Sequence, residues 1–197
     1  MGKGRLEAFT DGVIAIVITI MVLELKLPPS SDAAGLLAIA PTLLIYALSF
    51  VNIGIFWNNH HHMLHATRHI NGRVLWANLF LLFWLSLVPF VIRWIGEAGL
   101  SPWPVATYGF VLLMSGFGYS RLEHTIIAAG PGNALLAEAI GSDWKGWASL
   151  LAYLAAMPLA FVSPWIALAL YLGVAILWLV PDRRIEARIG AGSDPAG

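Results

Sequence analysis

The sequence predicts an all-α membrane protein of six spanning helices, and three observations lead there. Of its 197 residues, 59% are hydrophobic and 11% charged; soluble domains have ~45–50% and ~25%. Long apolar windows recur along the chain, near the ~20 residues that cross a bilayer. Turn-formers separate them: Pro28-Pro29-Ser30-Ser31, the His-rich stretch through Asn71-Gly72, Gly96 to Pro104, Gly130-Pro131-Gly132 and Ser163-Pro164. Net charge is zero with no basic block, so a nucleic-acid partner is not expected. The absence of cysteine excludes disulfides, thiolate metal sites and thiol catalysis.

The predicted spans cover roughly 6–27, 36–59, 73–95, 103–122, 145–162 and 164–180. The first lies in Arg5 to Leu27, RLEAFTDGVIAIVITIMVLELKL, whose uninterrupted apolar run, Gly12 to Leu23, sits between Asp11 and Glu24. That run is shorter than a lipid-exposed span needs, so this helix is expected to face protein or water and to be the functional one. Lys3 and Arg5 before it resemble a signal peptide, but Glu7, Asp11 and the lack of an A-x-A site predict a retained segment. The second and third spans flank a histidine-rich turn. The fourth leads into the longest inner connection, Glu123 to Asp143, whose Ala134-Leu135-Leu136-Ala137-Glu138-Ala139 stretch is expected to form a short interfacial helix. Residues 1–197 read as one domain without internal repeat, and the Gly/Ala/Ser/Pro-rich tail 187–197 is expected to be disordered.

An even span count puts both termini on one side. The segments on that side carry Lys3, Arg5, Arg68, Arg73, Arg121, Lys145, Arg183, Arg184 and Arg188, against Lys26 and Arg93 on the other, which predicts cytoplasmic termini. Trp57, Trp76, Trp94, Trp103, Trp144, Trp147, Trp165 and Trp178 fall near span ends, where an indole keeps its N–H wet; Trp84 alone is mid-span.

At 100° per residue, Ile16, Ile20, Leu23 and Leu27 share a narrow stripe on the first helix, with Thr19 flanking it and Arg5 and Phe9 below. Asp11 points about 140° away, so its partner should come from another helix. Gly12 and Ala15 permit a close neighbour. Such a stripe is ordinarily a packing seam. Here the short core, the flanking carboxylates and the β-branched content favour a specialised wall.

Arg5-x-x-x-Phe9-Thr10-Asp11-Gly-Val-Ile-Ala-Ile, followed by Leu23-Glu24-Leu25, resembles the R-x-x-x-F-S-D signature of the endosomal/lysosomal potassium channels (transmembrane protein 175) and their bacterial homologues. The resemblance continues through Phe56-Trp57-x-x-His60-His61-His62 and Asn78-Leu79-Phe80-Leu81 to Val88-Pro89-Phe90, covering the first three helices by motif and the rest by layout. It implies a six-helix subunit in a homotetramer, with the first helix lining a central pore and no T-V-G-Y-G filter. It also implies passage of potassium and other monovalent cations with modest selectivity, in a bacterial inner (plasma) membrane. The family's hydrophobic constriction falls on Ile16, Ile20 and Leu23, and its hydroxyl layer on Thr19. Thr10 stands where the family more often has Ser.

Stacked apolar rings would gate by dewetting. Thr19 would be the one polar group able to discriminate among partly hydrated cations. Glu24 is expected either to draw cations to the outer mouth or to sit as an interfacial carboxylate beside Lys26. His60, His61, His62, His65 and His69 have i, i+4 pairs at 61/65 and 65/69, but few carboxylates accompany them and no metal site is expected. Instead, some of Trp57, Asn58, His61 and His62 are expected to reach Arg5, Thr10 and Asp11 and hold helix 1 in register. The cluster also allows pH-dependent gating.

Enzyme motifs are absent: no H-E-x-x-H, no G-x-S-x-G and no phosphate loop. No cofactor is expected beyond permeant potassium ions. Two rival readings remain at this stage: a proton- or metal-coupled secondary transporter using Asp11 and the His60–His69 cluster, and a non-conducting membrane scaffold.

Overall fold

A computed structural model describes residues 2–130, 133 and 143–179. The described residues form α-helices α1 (Lys3–Leu23), α2 (Ala33–His65), α3 (Gly72–Leu85), α4 (Val88–Ala98), α5 (Pro102–Ile127), α6 (Trp144–Leu159) and α7 (Pro164–Leu179), with no strand. All six predicted windows are helical, but their boundaries differ in instructive ways. The Ala134–Ala139 stretch and the 187–197 tail lie outside the described residues.

The third window is not continuous. It divides at Ser86-Leu87 into α3 and α4, because Pro89 supplies no N–H and its ring opposes the carbonyl four residues back. Ser86 caps α3 and its hydroxyl donates to the Phe83 carbonyl at 2.7 Å. The first helix ends at Leu23, with Glu24 as its cap, rather than running to Leu27. Leu27 precedes Pro28-Pro29, and a residue before proline is steered out of the helical region. It is 90% exposed beyond the helix end, so it does not belong to the stripe of Ile16, Ile20 and Leu23. Helix α2 is longer than predicted at both ends. At its start Asp32 accepts hydrogen bonds from Ser30 Oγ (2.5 Å) and Gly35 N (2.9 Å), which hold the Asp32 carboxyl below its usual range. At its C-terminal end it carries His60, His61, His62 and His65, while His69 falls outside it, so the 65/69 pair is not a helical pair.

Among the described residues, three rods are long and apolar enough to cross a membrane: α1, α2 and the bent α3–α4 rod; α7 is a shorter apolar helix. Shortness therefore does not set α1 apart: its 21 residues are long and apolar enough to cross, although Glu7 and Asp11 lie in its N-terminal half. Helix α5 packs chiefly on α3 and α6, α6 on α7, and α1 against α2, α3 and α4.

Two apolar clusters make the core. The larger joins Ile14, Val17 and Met21 of α1 to Ile45 and Ile53, to Val88, Val91, Ile92 and Ile95, and to Tyr108 and Tyr171. The smaller, toward the N-terminal end of α1, gathers Leu6, Met63, Leu64, Val74, Leu81, Leu85, Leu122 and Ile126. Tyr171 reaches across to α5, where its hydroxyl donates to the Val105 carbonyl at 3.1 Å. It can do so only because Gly109 has no side chain: a Cβ there would fall on the Tyr171 phenol. Gly118 likewise lets α5 lie against the Leu81 backbone, where a Cβ would meet Leu81 Cα at 3.1 Å.

Gly109→Ala is expected to cost about 1–3 kcal/mol by overpacking this α5–α7 contact. It should lower the thermal unfolding midpoint in detergent, whereas Gly173→Ala, which meets open space, should not.

Candidate functional site: the faces and anchors of helix α1

Helix α1 has two contrasting faces. Leu6, Thr10, Ile14, Val17 and Met21, spaced by three or four residues, are buried against the body of the chain. On the far side Ile16 is 60% exposed, Ile20 39% and Leu23 75%, and Thr19 and Phe9 are exposed with them. The Thr19 hydroxyl donates to the Ala15 carbonyl at 2.8 Å, which leaves its oxygen facing outward as an acceptor.

One buried polar layer fixes the N-terminal half of α1. Asn78 of α3 donates from Nδ2 to Thr10 Oγ1 at 2.9 Å, and its Oδ1 lies 2.8 Å from His60 Nε2 of α2. Amide oxygen only accepts, so His60 carries its proton on Nε2. All three side chains are buried. On α1 and α2 this layer falls between the two apolar clusters, where a polar group without a partner is expensive.

In front of it runs a ladder between α1 and the end of α2. Lys3 Nζ donates to the His65 carbonyl at 3.0 Å, Glu7 Oε1 lies 3.1 Å from His61 Nδ1, and Asp11 Oδ1 accepts from Trp57 Nε1 at 2.9 Å. Rungs on α1 advance by four residues while those on α2 retreat by four, as an antiparallel helix pair requires. His61 also stacks between Trp57 and His65, with ring centroids 6.2 Å apart on each side.

These contacts bring together some predicted anchors and not others. Asp11 meets Trp57, a partner on another helix. Thr10 is met by Asn78, which sequence reasoning quoted within a motif without assigning it a role. His61 reaches Glu7 rather than Arg5, Thr10 or Asp11. Among the described residues, the side chains of Arg5 and Asn58 make no hydrogen bond or ion pair, and His62 makes only an edge contact with His61. No group of three or more His, Cys, Asp or Glu among the described residues is arranged to hold a metal ion.

At its C-terminal end α1 meets α4. Arg93 Nη1 lies 3.7 Å from Glu24 Oε2, and Arg93 Nε donates to Glu97 Oε1 at 3.1 Å. The charge beside Glu24 is thus Arg93, not Lys26. Below this pair, Val13, Ile16, Val17 and Ile20 face Ser86, Pro89 and Phe90 across an open groove of about 410 Å³.

This arrangement has counterparts. The family described as "Endosomal/lysosomal potassium channel TMEM175" matches residues 5–89, which hold α1 from Arg5 onward, α2, α3, the Thr10–Asn78–His60 layer and the Glu7 and Asp11 rungs of the ladder. A potassium channel of Chryseobacterium sp. (strain P1-3) is 51% identical over 186 residues, 94% of this chain and 97% of that protein. The chain belongs to the TMEM175 potassium-channel family. The crystal structure of a lysosomal potassium-selective TMEM175 homolog from Chamaesiphon minutus shares its fold, with a TM-score of 0.75 and 26% identity, covering 90% of this chain and 96% of that one. The human endosomal/lysosomal proton channel TMEM175 is 37% identical over 84 residues, which is 34% of this chain and 17% of that protein. TMEM175 proteins are membrane ion channels, so the chain is a multi-pass membrane protein and not an enzyme.

Asn78→Ala would strand Thr10 and His60 in apolar surroundings at an expected cost of about 1–3 kcal/mol. In a double-mutant cycle with Thr10→Val, thermal unfolding should show a coupling of about 0.5–1.5 kcal/mol, while Asn58→Ala should be close to neutral.

Proposed function

We propose that this chain is a potassium-permeable cation channel in which four copies surround one pore lined by α1. Ile16, Ile20 and Leu23 form its hydrophobic constriction, Thr19 its selectivity layer, and Glu24 its outer mouth. The observation that carries this reading is the double character of α1. Its outward face is apolar and uncovered in the single chain, while its inner turns are held by polar bonds from two other helices. A lipid-facing helix has no need of such anchors. A helix that must present one face at a fixed angle does.

Rings from Ile16 to Leu23 would extend over about 10 Å of helix rise. Such a stretch blocks ions by dewetting and admits them after a small widening. Methyl groups cannot replace an ion's hydration shell, so discrimination falls to Thr19, whose outward oxygen is an acceptor. Arg5, Phe9, Thr10, Asp11, Trp57, Asn58, His61 and His62 belong to the motif region that sets the register of α1. The same reading takes six spans, cytoplasmic termini and a bacterial inner-membrane location, with support from the charge distribution and the bacterial relatives. The transporter alternative draws less support: Asp11 is bonded to Trp57 and His60 to Asn78, so the groups it would use already serve as helix anchors.

Bilayer recording of purified protein under potassium/sodium bi-ionic conditions tests the proposal. Unitary currents are expected, with potassium favoured modestly, and a proton gradient belongs in the protocol because the human relative is named a proton channel. Ile16→Asn should wet the narrowest ring and raise flux, and Thr19→Ala should lower the potassium/sodium ratio. Flux unchanged by Ile16→Asn would overturn the pore assignment.

A further inference from the structure

The geometry points to Arg93 as the residue that sets the charge of the outer mouth, holding a cation between Glu24 and Glu97 and so limiting how strongly the entrance attracts permeant ions. This rests on the pore reading above. Glu24 caps α1 immediately after Leu23, the outermost of the proposed rings. Arg93 lines the same groove as Ile16 and Ile20, so its charge is carried beside the conducting face rather than on a remote surface.

Its two carboxylate partners are not equivalent. The Glu97 contact is a directed N–H···O bond of 3.1 Å one turn along α4, whereas the Glu24 contact is a 3.7 Å charge pair between helices. Side chains in this trio are 59% (Arg93), 27% (Glu24) and 47% (Glu97) exposed, so water screens them and the bridges add little to stability. What survives screening is the local sum of charge. In each copy that sum is set by Glu24 and Glu97 against one Arg93. Removing Arg93 makes that sum more negative, removing the Glu97 charge makes it less so, and rotational symmetry repeats either change around the entrance.

Such an effect has a signature that packing changes lack. It is large where the Debye length is about 30 Å, near 10 mM salt, and vanishes where it is about 3 Å, near 1 M. Single-channel conductance in planar bilayers should be measured at both potassium concentrations for the wild type, Arg93→Gln, Arg93→Lys and Glu97→Gln. At low salt Arg93→Gln should raise conductance by about two-fold or more and Glu97→Gln should lower it comparably, with Arg93→Lys near the wild type. All four should converge at high salt. Equal low-salt conductance in the wild type and Arg93→Gln, or a difference that persists at 1 M, would overturn the assignment. If Arg93→Gln fails to assemble, Glu97→Gln still decides, because its effect has the opposite sign and leaves the Arg93–Glu24 pair intact. A wild type without unitary currents would instead sink the pore reading, and this inference with it.

Discussion

One carboxamide in an apolar interior determines how α1 sits. Asn78 holds Thr10 with its nitrogen and His60 with its oxygen, so three helices meet at a point where each of these polar groups has its partner. Apolar contacts above and below, through Ile14 and Leu6, are non-directional and would tolerate a rotated or shifted helix. The polar layer does not. Slide α1 by one residue and Thr10 leaves Asn78, while the Lys3, Glu7 and Asp11 rungs all lose their partners on α2 together.

Once that register is set, the character of the opposite face follows from helical geometry alone. Burying Leu6, Thr10, Ile14, Val17 and Met21 turns Ile16, Thr19 and Leu23 outward, and the sequence fills those outward positions with residues that in a soluble protein would be core. The break at Ser86-Leu87 then places Pro89 and Phe90 across from Ile16 and Ile20 and brings Arg93 to the end of α1. Anchor, apolar face and charged rim are thus three consequences of one docking geometry.

Much of this was legible in the residues. The apolar windows located every helical region among the described residues, since long runs of one character leave few alternatives. Asp11 in an apolar run demanded a partner from another helix, and the tryptophan that meets it was among the candidates. What escaped was whatever depends on local breaks and on pairing across space. Pro89 inside an apolar run looked like part of a continuous span, and the Pro28-Pro29 pair was read as closing the helix four residues later than it does. The length of α2 was underestimated because its histidines resemble a turn by composition, although the helix continues through them. Asn78 carried a readable signal, a lone amide amid Trp-Ala-Asn-Leu-Phe, and an intramembrane amide needs a partner. Which partner it takes depends on the packing of three helices, and no spacing rule within one helix reveals that. Glu24 shows the same limit: proximity in sequence suggested Lys26, whereas its cation comes from α4.

The polar anchors also have a mechanical meaning, because they are unevenly distributed along α1. Among the described residues, every directed side-chain bond from this helix to another helix lies at or before Asp11; beyond it, α1 is held by dispersion contacts and one loose charge pair. A rod clamped at one end and resting on a smooth support at the other is a cantilever. Deflection grows with distance from the clamp, so Leu23 has more lateral freedom than Ile16, and Ile16 more than Thr10. The stiffness of such a beam is set at its root, by residues remote from its tip.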